Sequence, residues 1–141
     1  RTIKTATEIQ NMRERLPNNK NLREFNFGEW ELKKSSEIAE KYPKLSKDYW
    51  SSPGDTAPPN GESWNQAAKR INAEVDNINE QYKGENIIAV GHFGVILTQL
   101  QRAAKIQPQS AISFQIDNLS ITHLEHLGDK NWRILSVNNI I

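Results

Sequence analysis

Apolar and polar positions alternate along this chain in patterns that predict a succession of helices, one loop and several strands. In "RTIKTATEIQNMRERL", Ile3, Ala6, Ile9 or Gln10, Met12 and Leu16 recur at roughly helical spacing with charges between them. "PNNKN" breaks that pattern, and "LREFNFGEWEL" is aromatic and mixed, which predicts an extended segment or ordered loop. "SSEIAEKYP" predicts a short helix with a serine N-cap that ends at Pro43, and "KLSKDYW" a further turn or two. "SSPGDTAPPNG" holds three prolines and two glycines in eleven residues and is a loop within one domain, because neither flank is able to fold alone.

The strongest helical pattern follows that loop. Ser63 and Gln66 fit a capping box, and Trp64, Ala67, Ala68, Ile71, Val75 and Ile78 make one apolar face, with Gly84 placed for a C-terminal cap. "NIIAV" is apolar on both faces and predicts an inner strand covered on both sides. "VILTQLQRAAK" predicts a helix; "AISFQI", "SITHLEHL" and "WRILSV" predict strands, the last two joined as a hairpin through "GDKN". Helices alternating with a buried strand, then an antiparallel pair, predict α/β layers.

Composition narrows the classes. The 141 residues suit one domain. With 18 basic and 17 acidic residues there is no electrostatic footprint for nucleic acid or an anionic membrane. The chain has no cysteine, which removes disulfides, thiol chemistry and thiolate metal sites, and is compatible with a reducing cytosol. No apolar run approaches the ~18 residues of a membrane helix.

Candidate chemistry centres on "VGHFGV". His92 stands where a buried strand hands over to a helix, the position at which open α/β sheets keep their ligands. The helix beginning near Phe93 and Gly94 offers free backbone N–H groups and its positive dipole end to an anion. A buried histidine satisfied by its neighbours is the other reading of the same residue. Glu24, Glu29 and Glu31 are candidate carboxylates; Glu24, between Leu22 and the aromatics Phe25 and Phe27, suits a general acid if burial raises its pKa. A solvated surface glutamate is the alternative. Ser63 is accounted for as an N-cap and Glu62 as a charge favoured near a helix start.

Five motifs in order change the weighing. They read Arg-Thr-x-x-Thr-Ala, Leu-x-Glu-x-x-Phe-Gly-x-Trp-Glu, Pro-x-Gly-Glu-Ser, Gly-His-x-Gly-Val and Asn-x-Ser-Ile-Thr, from Arg1 to Thr122, within a resemblance that covers almost the whole chain from Arg1 to Asn138. The series resembles the histidine phosphatase superfamily, the metal-independent relatives of phosphoglycerate mutase. The resemblance implies a three-layer α/β/α fold, with a mostly parallel central sheet and an antiparallel C-terminal strand pair. One departure stands out: the family's Arg-His-Gly motif, whose histidine becomes phosphorylated, does not occur. His123 and His126 do not replace it, since they fall in the expected C-terminal strands. The expectation is therefore a single domain over residues 1–141 whose first strand and following loop are missing, inactive by itself.

The resemblance also implies roles. Arg1 matches an arginine that grips the phosphoryl oxygens, and His92 a second pocket histidine on the same oxygens, with the Phe93 backbone beside it. Glu24 matches the residue that protonates the leaving alcohol and then activates water. Glu62, Ser63 and Trp64 are expected to border the substrate, with Trp50 and the proline-rich loop. The implied activity is phosphomonoester hydrolysis through a phosphohistidine, with no metal or other cofactor. Phosphoglycerate mutase-type transfer is an alternative, and a non-catalytic module that binds phosphorylated ligands is another. The mutases of the family carry a longer insertion between the glutamate motif and the Gly-Glu-Ser motif, so the resemblance implies that the 36 residues between Glu24 and Gly61 leave an open pocket and favour hydrolysis. The expected partner is a small phosphorylated metabolite, in the cytoplasm, with neither nucleic acid nor membrane and with a homodimer as the candidate assembly.

Overall fold

A computed structural model describes residues 1–140, so of the expected domain only Ile141 lies outside the described residues. The described residues form six α-helices and one hairpin: α1 (Thr2–Ile9), α2 (Ser35–Lys41), α3 (Pro43–Ser51), α4 (Trp64–Gln81), α5 (Phe93–Ala104), α6 (Pro108–Ala111), β1 (Ile121–Gly128) and β2 (Asn131–Asn139). Helix α1 stops well short of Leu16, because the chain turns at Gln10–Arg13, with Asn11 at φ 51°. Between α1 and α2 the aromatic segment is an ordered loop with two 3-10 turns, Lys20–Leu22 and Gly28–Trp30. Pro43 ends α2 and opens α3 at the same time, since a proline at the first helical position gives up no needed hydrogen bond.

The core lies between α4 and α5. Helix α4 presents Trp64, Ala67, Ala68 and Ile71 to it, and α5 presents Val95, Leu97 and Leu100, with Phe25 and Ala111 closing the ends. Two polar clamps fix the pair: the Trp64 indole donates to Gln101 Oε1 at 2.6 Å, and Gln99 Nε2 donates to Asn72 Oδ1 at 2.9 Å. The capping box forms as its sequence predicts. Ser63 Oγ accepts the Gln66 amide at 3.2 Å, and Gln66 Oε1 accepts the Ser63 amide at 2.9 Å.

Strands β1 and β2 pair antiparallel, with Glu125 opposite Arg133 and His126 opposite Trp132. Asp129 and Lys130 both have positive φ, the backbone of a two-residue hairpin turn whose twist matches the strands it joins. Strand β2 packs against α5, and Val137 of β2 and Leu124 of β1 pack against the core.

Two expected strands are absent among the described residues. "AISFQI" instead closes α6 and turns, with the Ile112 and Phe114 amides bonded back to Pro108 and Ala111; the proline at the start of α6 favours the helical turn. Residues 86–90 run without ladder partners, and Ile88 is 61% exposed. An inner strand is held by hydrogen bonds on both edges and by layers on both faces, and the described residues supply neither. The expected three-layer arrangement with a mostly parallel sheet is thus reduced here to helices and one two-stranded antiparallel sheet.

Candidate active site

The N-terminus of α5 brings His92, Phe93 and Glu24 to one place. His92 is the N-cap residue, with extended backbone (φ −93°, ψ 168°), and its side chain does not cap the helix. Its carbonyl accepts the Ile96 amide at 3.1 Å, so the backbone is spent on the helix and the imidazole is left free of it. The Glu24 carboxylate reaches the same turn from the aromatic loop: Oε2 accepts the Gly94 amide at 3.2 Å, and Oε1 accepts the amide of Phe25 at 3.0 Å. An anion at a helix N-terminus is the arrangement that the free amides and the helix dipole favour. Gly94 makes it fit, because a Cβ there would stand 2.5 Å from Glu24 Oε1 and 3.0 Å from the Phe25 ring.

Glu62 is held by two arginines and a backbone amide. Its carboxylate takes Arg70 through both oxygens, at 2.8 and 2.9 Å, and also Arg23 at 3.1 Å and the Asn26 amide at 2.9 Å. Burial works to raise its pKa, but the Arg70 hydrogen bonds, the Asn26 amide and the two arginine charges hold the carboxyl below its ordinary range. Arg70 donates in addition to the carbonyls of Asn21 and Arg23, which ties the loop bearing Glu24 to α4. A second tie is made by backbone alone: Gly28 and Gly61 lie so close to the opposing strands of loop that a Cβ would meet Pro59 O at 2.1 Å and Asn26 O at 2.7 Å respectively. Glu62 therefore orients the Glu24 loop. Ser63 is 2% exposed and engaged as the cap of α4.

A small pocket opens beside Glu24. It is lined by Phe27, Tyr49, Trp50, Pro53, Phe93 and Ile112, over a floor of Phe25, Trp64 and Gly94. Trp64 is buried, edge-on to Phe25 at 5.4 Å, so it belongs to the floor and the core at once. Tyr49 was not singled out by sequence; it falls on the inward face of α3 with Ser46, three residues earlier, which is the signal that marks it. Burial, then the charges of Glu24 and Glu62, push its phenol up to about 12.

The remaining candidates lie elsewhere. Arg1 is exposed at the start of α1, and its side chain makes no hydrogen bond or ion pair among the described residues. Glu29 accepts the Tyr42 hydroxyl at 2.6 Å, and that bond, opposed by desolvation and helped by Lys41, holds its pKa below the usual carboxylate value. It lines a larger cavity of about 190 Å3 with Trp30, Lys33, Glu37, Ile38, Lys41 and Tyr42, which contains neither Glu24 nor His92. Glu31 accepts the Phe27 amide at 3.1 Å and stabilises the loop. Among the described residues no three His, Cys, Asp or Glu side chains come together as a metal site.

A family model for the histidine phosphatase superfamily (branch 1) matches residues 1–140. The chain belongs to that superfamily. A metal-independent phosphoserine phosphatase of Arabidopsis thaliana is 32% identical over 105 residues, covering 74% of this chain and 42% of that protein. The chain thus spans less than half the length of that curated relative. Among solved structures, YhfR of Bacillus stearothermophilus superposes with a TM-score of 0.89 at 24% identity, covering all of this chain and 70% of its own. A phosphoserine phosphatase from Entamoeba histolytica, solved as a histidine-to-alanine mutant with phosphoserine, gives a TM-score of 0.83 at 21% identity, with 98% of this chain and 68% of that one covered. These likenesses carry the fold of the histidine phosphatases to residues 1–140. Within it, Glu24, His92 and Phe93 share one helix terminus.

Proposed function

We propose that the complete protein hydrolyses phosphomonoesters without a metal, through a phosphohistidine whose histidine lies outside these residues. The observation that carries this reading is the meeting of the Glu24 carboxylate and His92 at the N-terminus of α5, with Oε2 on the Gly94 amide. A histidine nitrogen attacks phosphorus, and the P–O bond to the alcohol breaks as Glu24 delivers a proton to the departing oxygen. Glu24, now a carboxylate, takes a proton from water, which attacks the phosphohistidine and releases inorganic phosphate. His92 and Arg1 hold the equatorial oxygens, and the Phe93 amide adds a donor from the helix end. In the same reading residues 86–90 are an inner strand of a parallel sheet completed by a first strand that brings the Arg-His-Gly histidine to His92.

Rapid acid-free quenching of the full-length protein during turnover of radiolabelled phosphoester tests the proposal. The expected result is an acid-labile, alkali-stable phosphoenzyme whose label maps outside residues 1–141, while residues 1–141 alone turn over p-nitrophenyl phosphate no faster than background. Label on His92, or turnover by the 141-residue chain, overturns it.

A further inference from the structure

We propose that the leaving-group side of this site is built for a phosphate ester of an apolar, planar alcohol; the inference rests on the hydrolysis just argued and names its substrate class. The pocket beside Glu24 is walled by Phe27, Tyr49, Trp50, Pro53, Phe93 and Ile112, with Glu24 the one charged residue in its lining; its volume is only about 40 Å3, so a ring would lie across its rim on the exposed Trp50 and Phe93 rather than inside it. Two of its aromatics keep much of their surface open: Trp50 is 50% exposed and Phe93 44%. Large aromatics on a surface gain most by covering that area, and these two stand on the same pocket as the proposed acid.

Trp50 is also held in place. Its ring stacks on Phe27, with centroids 6.4 Å apart and planes 28° apart, and meets the edge of buried Tyr49 at 4.9 Å and 89°. A ring fixed on one side and open on the other is a preorganised platform for a flat group, which loses little entropy in docking. An amino-acid leaving group is poorly served here. The pocket lining offers its carboxylate no cation, only the Glu24 carboxyl, and the neighbouring arginines, Arg23 and Arg70, are committed to Glu62.

The test compares kcat/KM of the full-length protein for benzyl phosphate, ethyl phosphate and O-phosphoserine. Benzyl and ethyl alcohols are leaving groups of similar basicity, so their difference reads contact with the wall. Benzyl phosphate is expected to be preferred over both others by about tenfold or more, and Trp50→Ala to lose about tenfold more with benzyl than with ethyl phosphate. Trp50→Phe, which keeps a ring, should retain the preference and so separates loss of the platform from misfolding. Equal or better use of phosphoserine, or equal losses on all three esters in Trp50→Ala, overturns the inference while leaving ester hydrolysis standing. If no ester is turned over, hydrolysis itself fails, and calorimetric binding of benzylphosphonate decides the platform: binding weakened in Trp50→Ala supports it, and no binding or unchanged binding overturns it.

Discussion

The carboxylate of Glu24 rests on the backbone amide of Gly94, Oε2 to N at 3.2 Å, at a point where a Cβ on residue 94 would stand 2.5 Å from Glu24 Oε1. The contact joins an aromatic loop to the first turn of α5 across 70 positions of sequence. It fixes where the Glu24 carboxyl stands relative to His92, two residues before Gly94.

Gly94→Ala is therefore expected to push Glu24 and Phe25 away from α5. Phe25 is part of the core, so the displacement costs about 1–3 kcal/mol of stability, the range for overfilling a packed site. Urea unfolding of the full-length protein measures it, and kcat should fall even at denaturant-free, fully folded conditions. An alanine variant with unchanged stability and rate would show that Glu24 has room to move without consequence.

His92→Ala removes a side chain that plays no part in capping α5, so the helix should stay formed. On the proposed mechanism the loss is one donor to the phosphoryl group in the transition state, on the order of 10²–10³ in kcat. Inorganic phosphate should also inhibit the variant less. Full activity in His92→Ala would make the histidine a structural residue.

Much of this arrangement was legible in the sequence wherever the cause was local. The capping box at Ser63, the apolar face from Trp64 to Ile71, the helix after His92 and the hairpin through Asp129 and Lys130 each depend on residues within a few positions of one another. Residues 86–90 show the opposite case, in which the cause is not local. Their apolar run predicts an inner strand, but a strand exists only with partners, and the described residues provide none. In "AISFQI" a strand-like composition lost to the turn begun by Pro108. Glu62 shows the limit for sites. Its two arginine partners, invisible as partners in a linear pattern, make it a clamp on the Glu24 loop.

Ser63→Ala separates capping from substrate contact. Loss of the Oγ acceptor for the Gln66 amide should cost about 1 kcal/mol of stability. KM should stay as in the parent protein, because the hydroxyl is buried in the cap. A raised KM with unaltered stability would return Ser63 to the substrate pocket.

The Glu62–Arg70 clamp gives a pH dependence of defined sign. The folded state lowers the Glu62 pKa from 4.5, so near that value the unfolded chain binds more protons and stability rises with pH. The contribution is fully present above pH 4.5 and is lost as the pH falls through the depressed folded value. Arg70→Ala leaves the half-buried carboxylate short of its bidentate partner and should destabilise by about 2–4 kcal/mol at neutral pH. Its acid destabilisation should be shallower than that of the parent, because less of the stability then depends on an ionised Glu62. Denaturant midpoints measured from pH 3 to 7 check both the size and the slope.

Glu24→Gln tests the assignment on which the proposed chemistry turns. An alkyl phosphate expels a strongly basic alkoxide and needs the proton, so its rate should fall by ~10²–10⁴-fold when the acid is lost. p-Nitrophenolate leaves well without a proton, and phosphohistidine formation from that ester should be much less affected. Its breakdown needs Glu24 again, as the base for water. The variant should then release a burst of nitrophenol close to the enzyme concentration, followed by a slow steady rate. Gln still accepts the Gly94 amide through its carbonyl oxygen, so a purely positional role for Glu24 should survive the substitution with only a mild loss on both esters. If Glu29 were the acid, Glu24→Gln would be mild as well, but Glu29→Gln would then carry the leaving-group dependence. Glu29 sits outside the pocket that holds Glu24, and its carboxylate is taken up by the Tyr42 hydroxyl and Lys41. Rapid-quench kinetics on an alkyl and a nitrophenyl ester, with both variants, distinguishes the three outcomes.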